Sequence, residues 1–385
     1  MTQPRKHPSS GLLLSRFVVS LKLSLGLSCL GWLGALPVQA AVEMRVAVVE
    51  RLDRVSVGSS TPAIVKNTAG QGIGQIPQGR SVVVTVAGGT LRLADWQGQA
   101  FWVEPANGGH VFINNTWYRG RVLVMPVEGK VTAINWVDLE AYLYSVLGAE
   151  MPASWPQEAL KAQAVAARSY ALYQRDRGAA NAFDVGSTTA HQVYKGLASE
   201  APSTVAAVNA TRGQVLTYGG RVIEAVFHAS SGGRTENVED VWQKPVPYLR
   251  SVPDFDQDAP VYRWSETFST SQFEQRVRGV GRLRAVSIER VTPQGRVVSL
   301  RLQGTQGTRT LSGTELRQAL GLRSTLFSIS LQGDTIRVDG RGFGHGLGMS
   351  QWGARGLALQ GYSYAQILAH YYLGAVLSQI QVAGL

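Results

Sequence analysis

Cysteine is almost missing: the chain has a single one, Cys29, in 385 residues. It sits in a leucine-rich stretch near the N-terminus, and the preceding Gly26-Leu27-Ser28 is a poor lipoprotein signal. Past residue 40 there is thus no disulfide, no thiol nucleophile and no thiolate metal ligand. Long apolar runs are missing from the same region, so nothing after the N-terminal stretch is long enough to cross a bilayer as a helix. No internal repeat or low-complexity linker appears. The basic residues are scattered, with no arginine-rich run and no recognition helix, which excludes nucleic acid as the expected partner. No Gly-x-Ser-x-Gly elbow is present, and no metal-ligand spacing recurs among the histidines and carboxylates.

What is present begins with an address. Arg5, Lys6 and Arg16 precede a leucine-rich stretch from Leu21 to Leu36, and Val38-Gln39-Ala40 offers small residues for cleavage. This predicts a secretory signal peptide over residues 1–40, cut after Ala40. The alternative is an uncleaved anchor spanning the membrane from about residue 23. Either way the rest is exported, to the periplasm or cell wall. The formal charge of +11 includes four basic residues of the leader and leaves +7 for the remainder. An exported basic protein expects an anionic partner, such as a cell-wall polymer or a membrane surface.

From Glu43 to about Asn135, short β-rich runs are broken by Gly, Pro and Asn, for example Met44–Val49, Ser81–Val86, Thr90–Leu93 and Val122–Pro126. Two helices follow, Asp138–Ala149 and Trp155–Arg175, the second with a capping-box pattern in Ser154 and Gln157. Residues 264–331 read as a small α/β lobe, with helices near Ser271–Val277 and Thr314–Leu320 and strands at Ala285–Arg290 and Val297–Leu302. A glycine-rich segment (340–348) and two short helices, about 350–360 and 363–372, close the chain. The expected class is α+β. Its parts are an N-terminal β-rich body (41–135) and a region from 136 to 385 with the helical segment, the lobe and a glycine-rich cleft lining.

Apolar residues at 139, 142, 143, 146 and 147 mark one face of the first helix, and Glu150 returns to that face at its end. Pro152 then stops regular helix. Burial and the negative helix end would both raise this carboxyl's pKa and keep a proton available for donation. The plainer reading is a surface Glu at a frayed end. Lys161 and Arg168, seven residues apart with Ala164 between them, share a face of the second helix; they form a basic wall or, alternatively, a solvated face with Lys161 paired to Glu158. In Gly340-Arg341-Gly342-Phe343-Gly344-His345-Gly346-Leu347-Gly348 an extended chain would put every glycine on one face, where a ligand can meet bare backbone. A kink where backbones cross is the structural alternative. His228, His345 and Glu236 form a weak metal set, and Ser230 or Ser231 beside a histidine a weak hydrolase set. Trp155, Tyr170, Tyr194, Trp242, Tyr248 and Trp352 offer rings for stacking on sugars or for the core.

Four stretches together resemble the stage II sporulation protein D family (SpoIID/LytB type): Leu139–Tyr170 (LEAYLYSVLGAEMPASWPQEALKAQAVAARSY), Ala190–Gly196 (AHQVYKG), Phe227–Asn237 with Trp242, and Arg341–Gly353. The resemblance implies a peptidoglycan lytic transglycosylase. It cuts the bond between N-acetylmuramic acid and N-acetylglucosamine, prefers strands stripped of stem peptides, and uses the Glu of E-M-P, here Glu150. Within these stretches the candidate substrate contacts are Lys161, Gln163, Arg168, Tyr170, Gln192, Tyr194, His228, Ser230, Ser231, Gly232, His345, Ser350 and Gln351. Arg168, with Lys161, is expected to bind the lactyl carboxylate of denuded strands. Some members bind zinc through a histidine that matches His228 together with nearby cysteines; with no cysteine past the leader, no metal and no cofactor is expected. LytB-type relatives are assigned as amidase enhancers, so the alternative is a non-catalytic wall protein that activates a cell-wall amidase.

Overall fold

The computed structural model describes residues 42–242 and 244–380. The leader, its cleavage or anchoring, and Cys29 lie outside the described residues. Two antiparallel sheets build the first part. One orders strands 72–76, 63–66, 101–105, 121–127, 130–138 and 43–52, with the short 185–186 added parallel at its edge; the other orders 116–118, 111–113, 54–59, 81–87, 90–93 and 96–98. Alternating side chains such as Val55, Val57, Val84, Leu91 and Leu93 face Met44, Val122, Val124 and Val131 in a shared core, as period-two patterning requires.

The strand Lys130–Asp138 runs directly into helix α1 (Leu139–Glu150). Asp138 ends the strand and caps the helix, accepting from the N–H groups of Glu140 and Ala141 at 3.0 and 3.1 Å. Helix α2 (Gln157–Arg177) is buried nearly all round: Ala159, Ala162, Ala164, Ala166, Ala167 and Ala171 have no exposed surface. Small side chains there let α1, α3 (Pro202–Ala210) and the C-terminal helices close in on it. The expected Ser154 capping box is not formed. Pro156 occupies the cap position without a side-chain bond, and Gln157 instead donates to the Ser203 carbonyl at 3.2 Å. The short α4 (Val238–Trp242) follows the polar turn after His228.

A second apolar cluster gathers Trp264, Phe268, Phe273, Leu300, Leu302, Leu316, Phe327, Ile336 and Val338. Helices α5 (Thr270–Arg276) and α6 (Gly313–Leu320) pack here with two three-stranded sheets. Strand Thr335–Arg341 pairs with both Arg263–Ser269 and Phe327–Gln332, so this lobe extends past residue 331, where the sequence reading ended it. The fold is mixed α+β with a β-rich body, and among the described residues no helix is long and apolar enough to cross a membrane.

The C-terminal helices α7 (Gln351–Leu359) and α8 (Tyr364–Tyr371) pack on α2 and on each other. Gly353 in α7 is forced by its neighbours, since a Cβ there would lie 1.8 Å from Asp254 Oδ1 and 2.1 Å from the Tyr371 hydroxyl. Alanine is the better helix former by about 1 kcal/mol, but the overlap wins. Gly353→Ala is expected to destabilise the fold by about 1–3 kcal/mol, read as a lower urea midpoint with unchanged slope.

Candidate active site

Glu150 is the last residue of α1 and is half-buried. The helix places Tyr142, Leu143, Val146 and Leu147 in the core, and Met151 then turns extended ahead of Pro152. Two distant segments hold the carboxylate. Glu150 Oε1 accepts the Val193 backbone N–H at 2.9 Å, and Oε2 accepts the Gln351 side-chain amide at 3.2 Å. Burial pushes the Glu150 pKa up; the two hydrogen bonds and the Lys195 ammonium pull the other way without cancelling it. The site therefore balances an environment that favours the acid against two donors that favour the carboxylate.

Aromatic and basic groups adjoin it. Trp155 follows Glu150 across the Met-Pro turn, and Trp352 follows Gln351; their rings meet edge-to-face at 4.8 Å. The Arg355 guanidinium lies 5.2 Å from the Trp352 ring and 6.0 Å from that of Trp155. Lys195 is exposed while its neighbours Gln192 and Tyr194 are buried. Sequence reasoning missed Lys195 and Arg355. The signals were there: Lys195 falls with Val193 on the side opposite Gln192 and Tyr194, and Arg355 is four residues from Gln351 on one helix face.

Other expected contacts fall elsewhere, and these are corrections. Arg168 has no exposed surface; it donates to both Glu140 carboxylate oxygens at 2.9 and 2.6 Å and to the Gln214 carbonyl at 3.0 Å. It joins α2 to α1 and is closed to a ligand. Lys161 pairs with Glu158 at 2.7 Å, the plainer of its two readings, and its ammonium lies 5.8 Å from the Tyr364 ring. Gln163 is fully buried, with no hydrogen-bond partner for either amide atom among the described residues. Tyr170 is half-buried, its pKa pushed up to about 12 by burial and the charge of Glu224. Gln192 accepts from Tyr142 at 3.0 Å and donates to the Ala167 carbonyl at 3.2 Å, and Tyr194 donates to Asn135 at 2.7 Å. Both side chains are taken up by protein partners; by anchoring their loop segment they aim the Val193 N–H at Glu150. Ser230 and Ser231 are buried donors to Asp256 and Asp254, and the Gly232 N–H donates to Asp256 at 2.8 Å. Ser350 caps α7 through the Gly353 N–H at 3.1 Å, which sets the direction of Gln351.

Past Arg341, where the strand Thr335–Arg341 ends, the glycine-rich segment is not extended. Gly342, Gly344, Gly346 and Gly348 all have positive φ, a conformation that favours glycine. A Cβ at Gly344 would meet His228 Cβ at 2.7 Å, one at Gly346 would meet the Arg296 guanidinium at 2.3 Å, and one at Gly348 would meet the Val226 carbonyl at 2.1 Å. The bare backbone faces protein, which is the crossing-backbone alternative. The expected ligand contact along those glycines is corrected accordingly.

His228 and His345 lie with ring centroids 5.2 Å apart, and Trp242 is 5.4 Å from His345. His345 uses both nitrogens, with the Phe227 carbonyl and the Leu347 N–H, each at 3.0 Å; burial pushes its pKa down to about 4. His228 Nδ1 meets the Leu347 carbonyl at 3.0 Å, and Nε2 is buried with no partner among the described residues. One spare imidazole nitrogen does not make a zinc site. Among the described residues no group of three or more His, Cys, Asp or Glu is placed to hold a metal ion.

Comparison with known proteins covers the half of this arrangement that carries Glu150. Residues 127–218, which carry Glu150 and Val193, match the family model described as Stage II sporulation protein. Residues 247–348 match a domain of unknown function, DUF8618. The chain is 37% identical over 261 residues to Stage II sporulation protein D of Bacillus subtilis (strain 168), covering 63% of this chain and 75% of that one. It is 38% identical, with the same coverage, to the protein of that name from Bacillus amyloliquefaciens. Against the amidase enhancer of Bacillus subtilis (strain 168) it is 32% identical over 291 residues, covering 61% of this chain and 40% of that one. Similarity at this level across three quarters of a curated relative assigns the chain to the stage II sporulation protein D family.

Proposed function

We propose that this chain is an exported lytic transglycosylase of peptidoglycan, acting on strands without stem peptides and leaving 1,6-anhydro-muramic ends. The observation that carries the reading is the setting of Glu150: a half-buried carboxyl with a raised pKa, held in one orientation by Val193 and Gln351 beside the Trp155–Trp352 pair. As the acid, Glu150 protonates the glycosidic oxygen while the C1–O4 bond breaks. The C6 hydroxyl oxygen of the same muramic acid then bonds to C1, and the Glu150 carboxylate takes its proton. The acid is regenerated, no water is consumed, and no second carboxylate is needed, because the nucleophile is already tethered to the sugar. The Val193 N–H and the Gln351 amide support the carboxylate form between the two transfers. The glycine-rich segment supports the site from behind by delivering Ser350 and Gln351.

The test is incubation of purified protein with amidase-treated glycan strands and mass spectrometry of the ends. Anhydro-muramic products are expected with the wild type and not with Glu150→Gln. Without them the reading fails. Gln351→Ala, which removes one of the two donors, is expected to lower the cleavage rate by about tenfold with little change in thermal stability. A second reading, that the protein activates a cell-wall amidase, is supported by the identity to an amidase enhancer. It predicts stimulation of amidase by wild type and Glu150→Gln alike.

A further inference from the structure

Past residue 40 the net charge is confined to one place. Between Arg263 and Arg341 the sequence has thirteen arginines, six carboxylates and no lysine, a net of +7. The remainder past residue 40 balances twenty basic against twenty acidic residues. The whole excess noted from composition therefore sits on the lobe formed by the second apolar cluster. The lobe's recorded ion pairs take up Arg296, Arg301 and Arg337; most of the other arginines are exposed.

Two of them face each other. Arg263 and Arg341 are directly opposed on paired strands, both exposed, and neither is in an ion pair among the described residues. Opposed like charges cost stability in a sheet, so the pair has no structural justification. They flank a groove of about 670 Å³ whose wall includes Ser265, Ser328, Asp339 and Leu326. Asp339 does not neutralise them, since Arg337 holds its carboxylate at 2.8 Å. Beneath the groove, the Trp264 ring lies 2.1 Å from where a Cβ on Gly340 would be, so the floor is closely packed.

We propose that this lobe is a docking module for the glycan strand, and that the groove between Arg263 and Arg341 seats a lactyl carboxylate of a denuded strand. The proposal rests on the reading that the chain works on peptidoglycan. The planar guanidinium fork matches a carboxylate in two-point contact, which an ammonium does not. The lobe's rings, Trp264, Phe268, Phe273 and Phe327, are buried, leaving no stacking platform for nucleic-acid bases. Its large apolar side chains are covered too, apart from Val291, so it lacks the exposed apolar face of an interfacial membrane binder. A polymer carrying a carboxylate on every muramic acid fits that surface. From Arg341 the chain reaches Gln351, the Glu150 partner, through ten residues, at most roughly 35 Å, so one strand can touch both places.

The test measures co-sedimentation of full-length Glu150→Gln protein with amidase-treated strands, so that nothing is cleaved during binding. Arg263→Gln/Arg341→Gln is expected to bind about tenfold more weakly, and strands whose carboxylates are converted to methylamides should lose about the same. Binding by the full-length protein with both arginines intact should fall steeply with added salt, a readout that needs no groove variant. A control of equal charge loss, Arg54→Gln/Arg221→Gln, should bind like its parent. The proposal is overturned if the control loses as much as the groove variant, or if methylamide strands bind undiminished. It is equally overturned if untreated peptide-bearing strands or anionic lipid vesicles bind more tightly than denuded ones. Docking without any cleavage by the wild type would leave this proposal standing and remove only the catalytic one.

Discussion

Glu150→Gln is expected to lower strand cleavage by about 10²–10⁴-fold, the range for loss of a positioned general acid–base group. The amide keeps the side-chain volume, and its oxygen can still accept the Val193 N–H, so the fold should persist. The pH profile carries a second signature. Glu150 must hold its proton to begin the reaction, so wild-type cleavage falls as pH rises through the raised pKa of this carboxyl, while the residual rate of the variant stays flat over that range. Stability moves in the matching sense. A carboxyl with a raised folded pKa destabilises the fold above that pKa and contributes nothing below its unfolded value. Glu150→Gln is therefore expected to melt about 1–2 °C higher than wild type near neutral pH, with the difference vanishing as pH falls through the carboxylate range. A variant that still cleaves at the parental rate would end the acid–base role.

Arg168→Met is expected to cost about 3–5 kcal/mol of folding stability, because it strands the buried Glu140 carboxylate without its partner. The two groups are almost sealed from solvent, and Arg168 also satisfies the Gln214 and Val208 carbonyls. Urea unfolding should show the loss as a shifted midpoint, and Glu140→Leu with Arg168→Met should recover much of it, since a well-packed apolar pair replaces an ion pair at little cost. If Arg168→Met left the midpoint unchanged and reduced strand binding instead, the ligand role first expected for this residue would be restored.

Both outcomes bear on what was legible beforehand. The first helix and the position of Glu150 on it follow from local periodicity, because a strong apolar stripe, an aspartate cap and a following proline act within a few residues of one another. The body strands, α2 and the C-terminal helices are local in the same way. The Ser154 cap failed because Pro156 takes the cap position and Gln157 is drawn to Ser203, a competitor 46 residues away. Lys161 and Arg168 lie on one face by spacing, yet one is at the surface and the other sealed, and only packing of α1 on α2 separates them. Strands Arg263–Ser269, Gly307–Ser312 and Thr335–Arg341 went unread because their partners, not their own patterns, hold them.

By itself, the sequence determined that this is an α+β protein with a carboxyl at the end of a buried helix stripe, since helix phase and capping are short-range properties. Tertiary structure alone decided what surrounds that carboxyl. Val193 is 43 residues and Gln351 is 201 residues from Glu150, and no local rule brings such groups to one carboxylate. The glycine-rich segment shows the same limit: its pattern announced close approach, but whether ligand or protein fills the space depended on where His228 and Arg296 came to rest.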